Sequence, residues 1–296
     1  MDIYPGMDCF KKNIFLLVLS FLIGASILKG EDVGHLPLGN FSLSTSQQIS
    51  PLVSFGQTIV DKGQTQFFVF ADSSFGPDNY STDIYPYVMY GIRDDLAVSL
   101  YVPFSPGNKY GSSYSSGIED MYVQLEYAFY TRVGSYFEDQ ATIVADVIFP
   151  TGSSSKSPPT GAGSTSFFLG SAFSHTTYNW YFFVSPGAVL TTSKEGTKLG
   201  DQIVYQWGLG RDFPSPVGWI FAWMVEFDGQ YSWKSKTKGV TDPDFGGNVI
   251  YLTPSLWFSS EKYIIQFGAG YPIVQYLFGN QLKQNIALDF SLGVTF

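Results

Sequence analysis

The last residues of the chain alternate strictly between apolar side chains and polar or small ones. In the final stretch "NQLKQNIALDFSLGVTF" the apolar positions include Leu288, Phe290, Leu292, Val294 and Phe296. A period of two places successive side chains on opposite faces of a β-strand. Chain termini commonly fray unless they are tied down. A strand that keeps this pattern to its final residue is therefore expected to be paired along its whole length.

Comparable stretches recur along the chain from residue 65 onwards. They are rich in Phe, Tyr, Trp, Val and Ile and show no long run with a 3.6-residue period, which favours strands over helices. Pro86, Pro186 and Pro254 lie within three of them and are unfavourable at central ladder positions. We count twelve predicted strands: "TQFFVFAD", "STDIYPYVMYG", "DLAVSLYVPF", "EDMYVQLEYAFY", "QATIVADVIF", "STSFFLGSAFS", "NWYFFVSPGAVL", "QIVYQWGLG", "WIFAWMVEFDGQYSW", "NVIYLTPSLWFS", "YIIQFGAGYP" and the C-terminal segment.

The links between these predicted strands alternate in length. Short links such as "GIRDD" and "SSEK" follow even-numbered strands, and longer ones such as "SSFGPDNY", "SPGNKYGSSYSSG" and "PTGSSSKSPPTGAG" follow odd-numbered strands. This alternation is typical of outer-membrane barrels, which have short periplasmic turns and longer outer loops.

The two faces of the clearest strands differ in polarity. In residues 219–228 one face carries Trp, Phe and Val, while the other ends in Glu226 and Asp228. Such a strand fits a soluble sandwich with its apolar face inward, or a membrane barrel with that face toward lipid. Rows of large aromatic side chains favour the barrel, as do tryptophans near strand ends that fit interfacial girdles. These tryptophans are Trp180, Trp207, Trp219, Trp233 and Trp257. We predict an all-β fold, an antiparallel up-and-down transmembrane β-barrel of about twelve strands over residues 63–296, with ten or fourteen strands as alternatives.

The N-terminus indicates export. Lys11 and Lys12 precede an apolar run over residues 14–28, which fits a secretory signal peptide and is short for a membrane-spanning helix. We predict that residues 1–30, including Cys9, form this signal, with an uncleaved helical anchor as the alternative. Residues 31–62 are predicted to be a periplasmic lead-in or a small plug inside the barrel.

Composition argues against several classes of function. The net charge of −9 and the scarcity of Lys and Arg argue against nucleic acid as a partner. The only histidines are His35 and His175, the latter in a predicted short turn, so neither a Ser-His dyad nor a His-rich metal site is easily assembled. Asp242 and Asp244 in "DPDFGG" lack a third acid at calcium-loop spacing, which favours a plain turn. We predict no catalytic residue, no metal, no cofactor and no enzyme activity.

The remaining chemistry lies on the polar faces. Ionised acids survive in a barrel interior only when they are hydrated or paired. The sequence therefore predicts a wetted, acid-lined lumen or, equally, a lumen that side chains fill and hydrogen-bond, because twelve strands fall between small filled barrels and wide porins. The predicted lumen-lining residues are Asp120, Gln124, Glu126, Asp146, Gln206, Arg211, Glu226, Asp228, Gln266 and Asp289.

Several short blocks over residues 62–296 resemble a known family. The blocks "KGQTQFFVF", "YGIRDDLAVSL", "GIEDMYVQLEY", "FPTGSSS" and "LTPSLWFSSEKYIIQFGAGYPI" look like recurring blocks of the bacterial outer-membrane transporter family labelled for the MetA pathway of phenol degradation. The chain departs from that pattern in its Ser/Pro-rich segment 152–160 and in its high aromatic content. The resemblance implies a barrel that passes small, hydrophobic or aromatic molecules.

We therefore predict a bacterial outer-membrane protein that allows passive diffusion of small solutes. The alternative is a structural surface barrel or adhesin without a conducting pore. Its partners would be outer-membrane lipid, a small-molecule solute and the barrel-assembly machinery. The alternating end at Leu288, Phe290, Leu292, Val294 and Phe296 resembles the signal which that machinery reads.

Overall fold

The computed structural model describes residues 39–56 and 59–296. The predicted signal peptide, with Cys9, and His35 lie outside the described residues. Two short 3-10 helices, η1 (Gly39–Ser42) and η2 (Thr45–Gln47), precede the strands. The strands are β1 (Thr65–Phe75), β2 (Asn79–Arg93), β3 (Leu96–Tyr101), β4 (Phe104–Tyr110), β5 (Ser113–Ile118), β6 (Tyr122–Val133), β7 (Phe137–Ile148), β8 (Ser166–Thr177), β9 (Trp180–Thr191), β10 (Ser193–Lys194), β11 (Thr197–Lys198), β12 (Gln202–Phe213), β13 (Trp219–Ser232), β14 (Lys236–Thr237), β15 (Val240–Thr241), β16 (Gly247–Ser260), β17 (Tyr263–Leu277) and β18 (Ile286–Thr295).

Fourteen of these strands form one closed antiparallel barrel. Their order is β1-β18-β17-β16-β13-β12-β9-β8-β7-β6-β3-β2-β4-β5, and β1 also pairs with β2, so the sheet returns on itself. β3 and β4 pair with successive parts of β2, while β6 pairs with β3 and β5 with β4. β3 and β4 together cross the barrel wall once, and β5 and β6 together cross it once, so the fourteen strands give twelve crossings. The predicted twelve-stranded up-and-down barrel is confirmed.

The interruption between β3 and β4 has a local cause. Pro103 lies in the gap, and Pro86 lies opposite on β2, where its carbonyl accepts the Val102 N–H at 3.0 Å. Proline has no N–H to donate to a ladder, so the regular hydrogen bonding to β2 is interrupted where Pro103 lies opposite Pro86.

The two ends of the barrel differ in their connections. At the turn end, the links are residues 94–95, 134–136, 178–179, 214–218 and 261–262. At the loop end, they are residues 76–78, 111–112, 149–165, 192–201, 233–246 and 278–285. The first two loop-end links are tight turns, so the prediction of long loops there is wrong. Strand pairing β1–β2 and β4–β5 continues through the residues predicted as loop. Within the two loops 192–201 and 233–246, β10, β11, β14 and β15 form a separate four-stranded sheet.

The outer face of the barrel is apolar over its height. In β12, Trp207 and Leu209 point outward with 44% and 38% of their surface exposed, and Trp207 stacks on Phe227 of β13 at 4.1 Å between ring centroids. Exposed apolar rows on a closed barrel suit hydrocarbon, and such barrels are proteins of bacterial outer membranes. The fold and its apolar surface together place this chain in an outer membrane. Among the described residues, no helix is long and apolar enough to cross a membrane.

The tryptophans divide between the two faces. Trp180 and Trp219 begin β9 and β13 at the turn end and are exposed, as expected of an interfacial girdle, whereas Trp207 lies midway along β12. Trp257 is only 3% exposed and points inward, where its indole N–H donates to Ser259 Oγ at 2.9 Å. The girdle prediction for Trp257 is wrong because it shares the parity of buried Ser259.

Candidate functional site in the barrel lumen

Residues 39–56, called here the luminal segment, lie inside the barrel. The segment begins at the turn end, where the Asn40 N–H donates to the Tyr178 carbonyl at 2.9 Å and the Asn40 side-chain amide donates to the Thr177 carbonyl at 2.9 Å. Gly39 has φ +56°, and a Cβ there would lie 2.0 Å from the Tyr178 oxygen. Only glycine allows the segment to approach this turn so closely.

Polar side chains of the wall bind the carbonyl groups of the segment. Gln66 donates to the Ser46 carbonyl at 3.1 Å, and Gln266 donates to the Ser50 carbonyl at 3.0 Å. The Gln47 carbonyl accepts from Ser259 Oγ at 2.8 Å. An irregular backbone inside a barrel needs such partners, because it has no ladder of its own.

Two carboxylates on β13 bind the deepest part of the segment. Glu226, with no exposed surface, accepts the backbone N–H groups of Leu52, Val53 and Ser54 at 2.8, 3.2 and 3.0 Å. Asp228 accepts the Ser54 hydroxyl at 2.8 Å. Hydrogen bonds to charged acceptors are stronger than neutral ones. The two acids therefore fix the depth to which the segment enters the barrel.

Glycines in the wall make room for the apolar side chains of the segment. The Phe55 ring packs over Gly170 and Gly187 and meets Phe168 edge-on at 4.7 Å between centroids. A Cβ built on Gly170 would lie 2.6 Å from the Phe55 ring. Leu52 lies in the same way against Gly268, where a Cβ would come within 2.7 Å of its methyl carbon.

Two cavities remain beside the luminal segment. The outer cavity, of about 670 Å³, opens toward the loop end between Tyr80, Lys109 and Tyr251. The inner cavity, of about 380 Å³, lies between the luminal segment and the wall of β1, β2, β3, β6 and β18. Val53, Asp72 and Asp289 line both cavities, so the two spaces lie next to each other at these side chains.

The structure distributes the predicted lumen residues among several environments. Gln124, Glu126 and Gln266 line the inner cavity, Gln206 and Asp228 line the outer cavity, and Asp289 lines both. Glu226 lies beneath the luminal segment. Asp146 is opposite Gln124 across the β6–β7 ladder.

Asp120 and Arg211 differ from their predicted positions. Asp120 accepts the backbone N–H groups of Gly152 and Ala162 at 2.8 and 2.6 Å, and so holds the loop over 149–165. Arg211 is exposed on the outer face, with its guanidinium 5.0 Å from the centroid of the Trp180 ring. The prediction for Arg211 is wrong because Gln206 and Arg211 are an odd number of residues apart and a regular strand places them on opposite faces.

His175 also lies elsewhere than predicted. It belongs to β8 and not to a turn, and it points outward with its Nδ1 2.6 Å from Asp139 Oδ1. In "DPDFGG", the Asp244 N–H donates to the Asp242 side chain at 2.9 Å, which is the geometry of a turn. Within residues 39–56 and 59–296, no three His, Cys, Asp or Glu side chains are grouped as a metal site would require.

The inner cavity contains aromatic side chains that the sequence interpretation did not single out. Phe68, Tyr87, Tyr101 and Tyr122 occupy opposed positions on β1, β2, β3 and β6, and their rings stack at 4.9, 4.3 and 4.2 Å between successive centroids. The sequence marks these side chains only by their spacing. Tyr122 lies two residues before the predicted lumen residue Gln124, and so on the same face of its strand. Their stacking across strands depends on register, which the sequence does not show.

The C-terminal strand presents its apolar set outward. Leu288, Phe290 and Leu292 are 46%, 44% and 38% exposed, and Val294 is half-buried. Phe296 is 74% exposed, and its backbone N–H donates to the Thr65 carbonyl at 2.9 Å. The last residue thus takes part in closing the barrel against β1.

Several solved structures are similar to this chain. An outer membrane channel from Pseudomonas putida F1 matches with a TM-score of 0.67 and 14% identity over 84% of this chain and 100% of that chain. The NanC porin matches with a TM-score of 0.44 and 12% identity over 78% and 98%. The translocator domain of the autotransporter NalP from Neisseria meningitidis matches with 0.44 and 9% over 83% and 91%. No protein-family model and no curated protein matches the chain. The likeness to the channel shows the fold alone.

Proposed function

We propose that this chain is an outer-membrane channel for passive diffusion of small solutes, with no cofactor and no covalent chemistry. The observation that carries the proposal is that the outer and inner cavities lie next to each other and share Val53, Asp72 and Asp289 in their linings. A solute entering from the loop end finds space past the luminal segment and along the wall of β1 and β2. Solute movement follows the concentration gradient.

The luminal segment is a plug in this proposal, and it narrows the path without filling the barrel. It occupies the turn end, which faces the periplasm if the short turns are periplasmic as in other outer-membrane barrels. The aromatic wall of the inner cavity favours small hydrophobic or aromatic solutes. The same preference is implied by the resemblance to the transporter family labelled for the MetA pathway, to which we assign the chain as a divergent relative.

Conductance across planar bilayers tests this function. The single cysteine of the chain is Cys9, inside the predicted signal, so a cysteine introduced into the mature protein is unique. The Val53→Cys variant places a thiol in the lining that the two cavities share. We expect open-channel current that falls when a bulky methanethiosulfonate reagent modifies this thiol.

The matched control is Val217→Cys, in the exposed turn-end link 214–218. Its modification should leave the current unchanged. Folded, membrane-inserted protein that carries no current would overturn the channel and favour the structural barrel or adhesin. Equal loss of current in both variants would show that the solute path does not pass Val53.

A further inference from the structure

The inner wall of β1, β2 and β18 orders its side chains in rows. Asp289, Asp72 and Asp83 are opposed across β18, β1 and β2 and form a row of three carboxylates. Two residues nearer the turn end, the next row contains Ser291 and Phe70. Phe68 and Tyr87 stand two residues further on, at the start of the stack described above.

The row of carboxylates is unusual in a strand ladder. Like charges at directly opposed positions destabilise a sheet, and Asp72 is opposed by an acid on both sides. Among the described residues that line the inner cavity, none is Lys, Arg or His. Lys109 lines only the outer cavity. All three acids line that outer cavity as well, whereas the inner cavity is lined by Asp72 and Asp289 with no basic side chain of its own among the described residues.

Two side chains of β18 are buried and still lack a partner. Asp289 is 6% exposed and Ser291 is 4% exposed, and both line the inner cavity. No hydrogen bond joins either side chain to another residue within 39–56 and 59–296, and Oδ1 of Asp72 on the neighbouring strand is fully buried without a partner among the same residues. Buried polar groups in native proteins are nearly always hydrogen-bonded, so these two point to a ligand or solvent in the cavity.

We propose that the inner cavity binds organic cations in which an ammonium group is attached to a small aromatic body. This inference rests on the proposed channel function and names the solute class that the channel selects. The ammonium group donates to Asp289, Asp72 and Ser291. The aromatic body extends toward Phe70 and the stack that begins at Phe68.

The chemistry of the two parts matches the geometry of the rows. An ionised carboxylate only accepts hydrogen bonds and an ammonium group only donates them, so the pair is complementary in charge and in hydrogen bonding. Rows two residues apart along a strand are separated by about 7 Å. That spacing suits a cation joined to one ring by a short linker. Aromatic rings add dispersion and attraction to the cation.

Calorimetric titration of the detergent-solubilised mature protein tests the proposal with matched probes. These are 2-phenylethylammonium, neutral 2-phenylethanol, anionic phenylacetate and the ringless ethylammonium. We expect 2-phenylethylammonium to bind at least about tenfold more tightly than each of the others, because hydrogen bonds to charged groups stabilise by about 1.5–3 kcal/mol. Equal affinity for 2-phenylethanol would overturn the carboxylate role, and equal affinity for ethylammonium would overturn the aromatic role.

Variants locate the site. Asp289→Asn and Asp72→Asn keep the side-chain shape and remove one charge each, and each should weaken 2-phenylethylammonium binding about tenfold or more. Asp78→Asn, in the exposed loop-end link 76–78, removes the same charge outside the cavity and should leave binding unchanged. Heat-dependent gel mobility checks that each variant is folded. Unchanged binding in folded Asp289→Asn would overturn the site.

The outcome is separable from that of the channel test. Current without preference for the cation would leave the channel standing and overturn this inference. Selective binding without current would leave the binding site standing and overturn the channel, because the titration needs no membrane.

Discussion

The Glu226 carboxylate accepts the backbone N–H of Leu52 at 2.8 Å, and the two residues are 174 positions apart in the chain. This contact joins the middle of the barrel wall to the deepest part of the luminal segment. The N–H groups of Val53 and Ser54 donate to the same carboxylate, so three consecutive backbone donors of the luminal segment share one acceptor side chain. Several properties of the protein follow from whether this site is intact.

Glu226→Gln should loosen the luminal segment and increase conductance. The amide retains one oxygen but replaces the other with an N–H₂ group, which cannot accept from Val53 or Ser54. Leaving buried donors unpaired costs about 1–3 kcal/mol each. We expect larger or more frequent current steps in planar bilayers, with normal insertion. Glu261→Gln, in an exposed turn-end link, is the matched control. Unaltered current in Glu226→Gln would mean that the segment does not restrict the path.

Gly170→Ala should disturb the packing of Phe55. The added Cβ would lie 2.6 Å from the Phe55 ring and 2.8 Å from Phe168, and overpacking of this kind costs about 1–3 kcal/mol. We expect a lower temperature for the change in gel mobility. The double variant Gly170→Ala/Phe55→Leu should recover part of the loss, since the two residues touch. Gly107→Ala, where the nearest atom is a flexible Tyr114 hydroxyl at 3.3 Å, should have little effect. Strictly additive effects of Gly170→Ala and Phe55→Leu would contradict the contact.

Period-two alternation predicted most of the barrel because lipid and lumen impose opposite polarity on adjacent residues. Residues 219–228 show this clearly: Ile220 and Glu226 are buried and Trp219 is exposed. The same reasoning fails where one residue is assigned without its neighbours, as with Arg211. It also fails for Trp257, because inward positions accept a large aromatic side chain when a luminal segment covers it.

The contacts of the luminal segment with the barrel wall cannot be predicted from the sequence. Its contacts to Glu226 and Gln266 involve backbone N–H and C=O groups, which every residue carries, so no side-chain pattern marks them. For residues 31–62 the sequence predicts only a periplasmic lead-in or a small plug. The glycines that receive Phe55 are likewise indistinguishable in sequence from glycines in turns.

Asp201 makes the loop over 192–201 sensitive to acid. Burial raises its pKa, but hydrogen bonds from Thr191 and Lys198 outweigh burial and leave the pKa below the ordinary value of 3.8. The ionised form therefore stabilises the loop above that value, and the contribution is lost as the pH falls through the lowered pKa. Hydrogen-exchange protection of β10 and β11 should fall as the pH is lowered from 3.8 through the lowered pKa of Asp201. Asp201→Asn should show low protection across this range. Protection in Asp201→Asn that matches the unaltered protein would remove the carboxylate from this role.

Phe296 and Thr295 should have separable effects, because they lie on opposite faces of the final strand. Phe296 is 74% exposed on the lipid side. Inside the barrel, Thr295 Oγ1 accepts the side-chain amide of Gln66 on β1 at 3.0 Å and the side-chain amide of Gln47 in the luminal segment. Phe296→Asp places a charge at the apolar end that resembles the assembly signal, and we expect less folded protein in the outer membrane in pulse-chase fractionation. Thr295→Val keeps the side-chain shape and removes the acceptor, so assembly should be normal while the luminal segment loosens and conductance rises. Equal assembly defects in both variants would show that the terminal strand is read as a whole and not through its outward face.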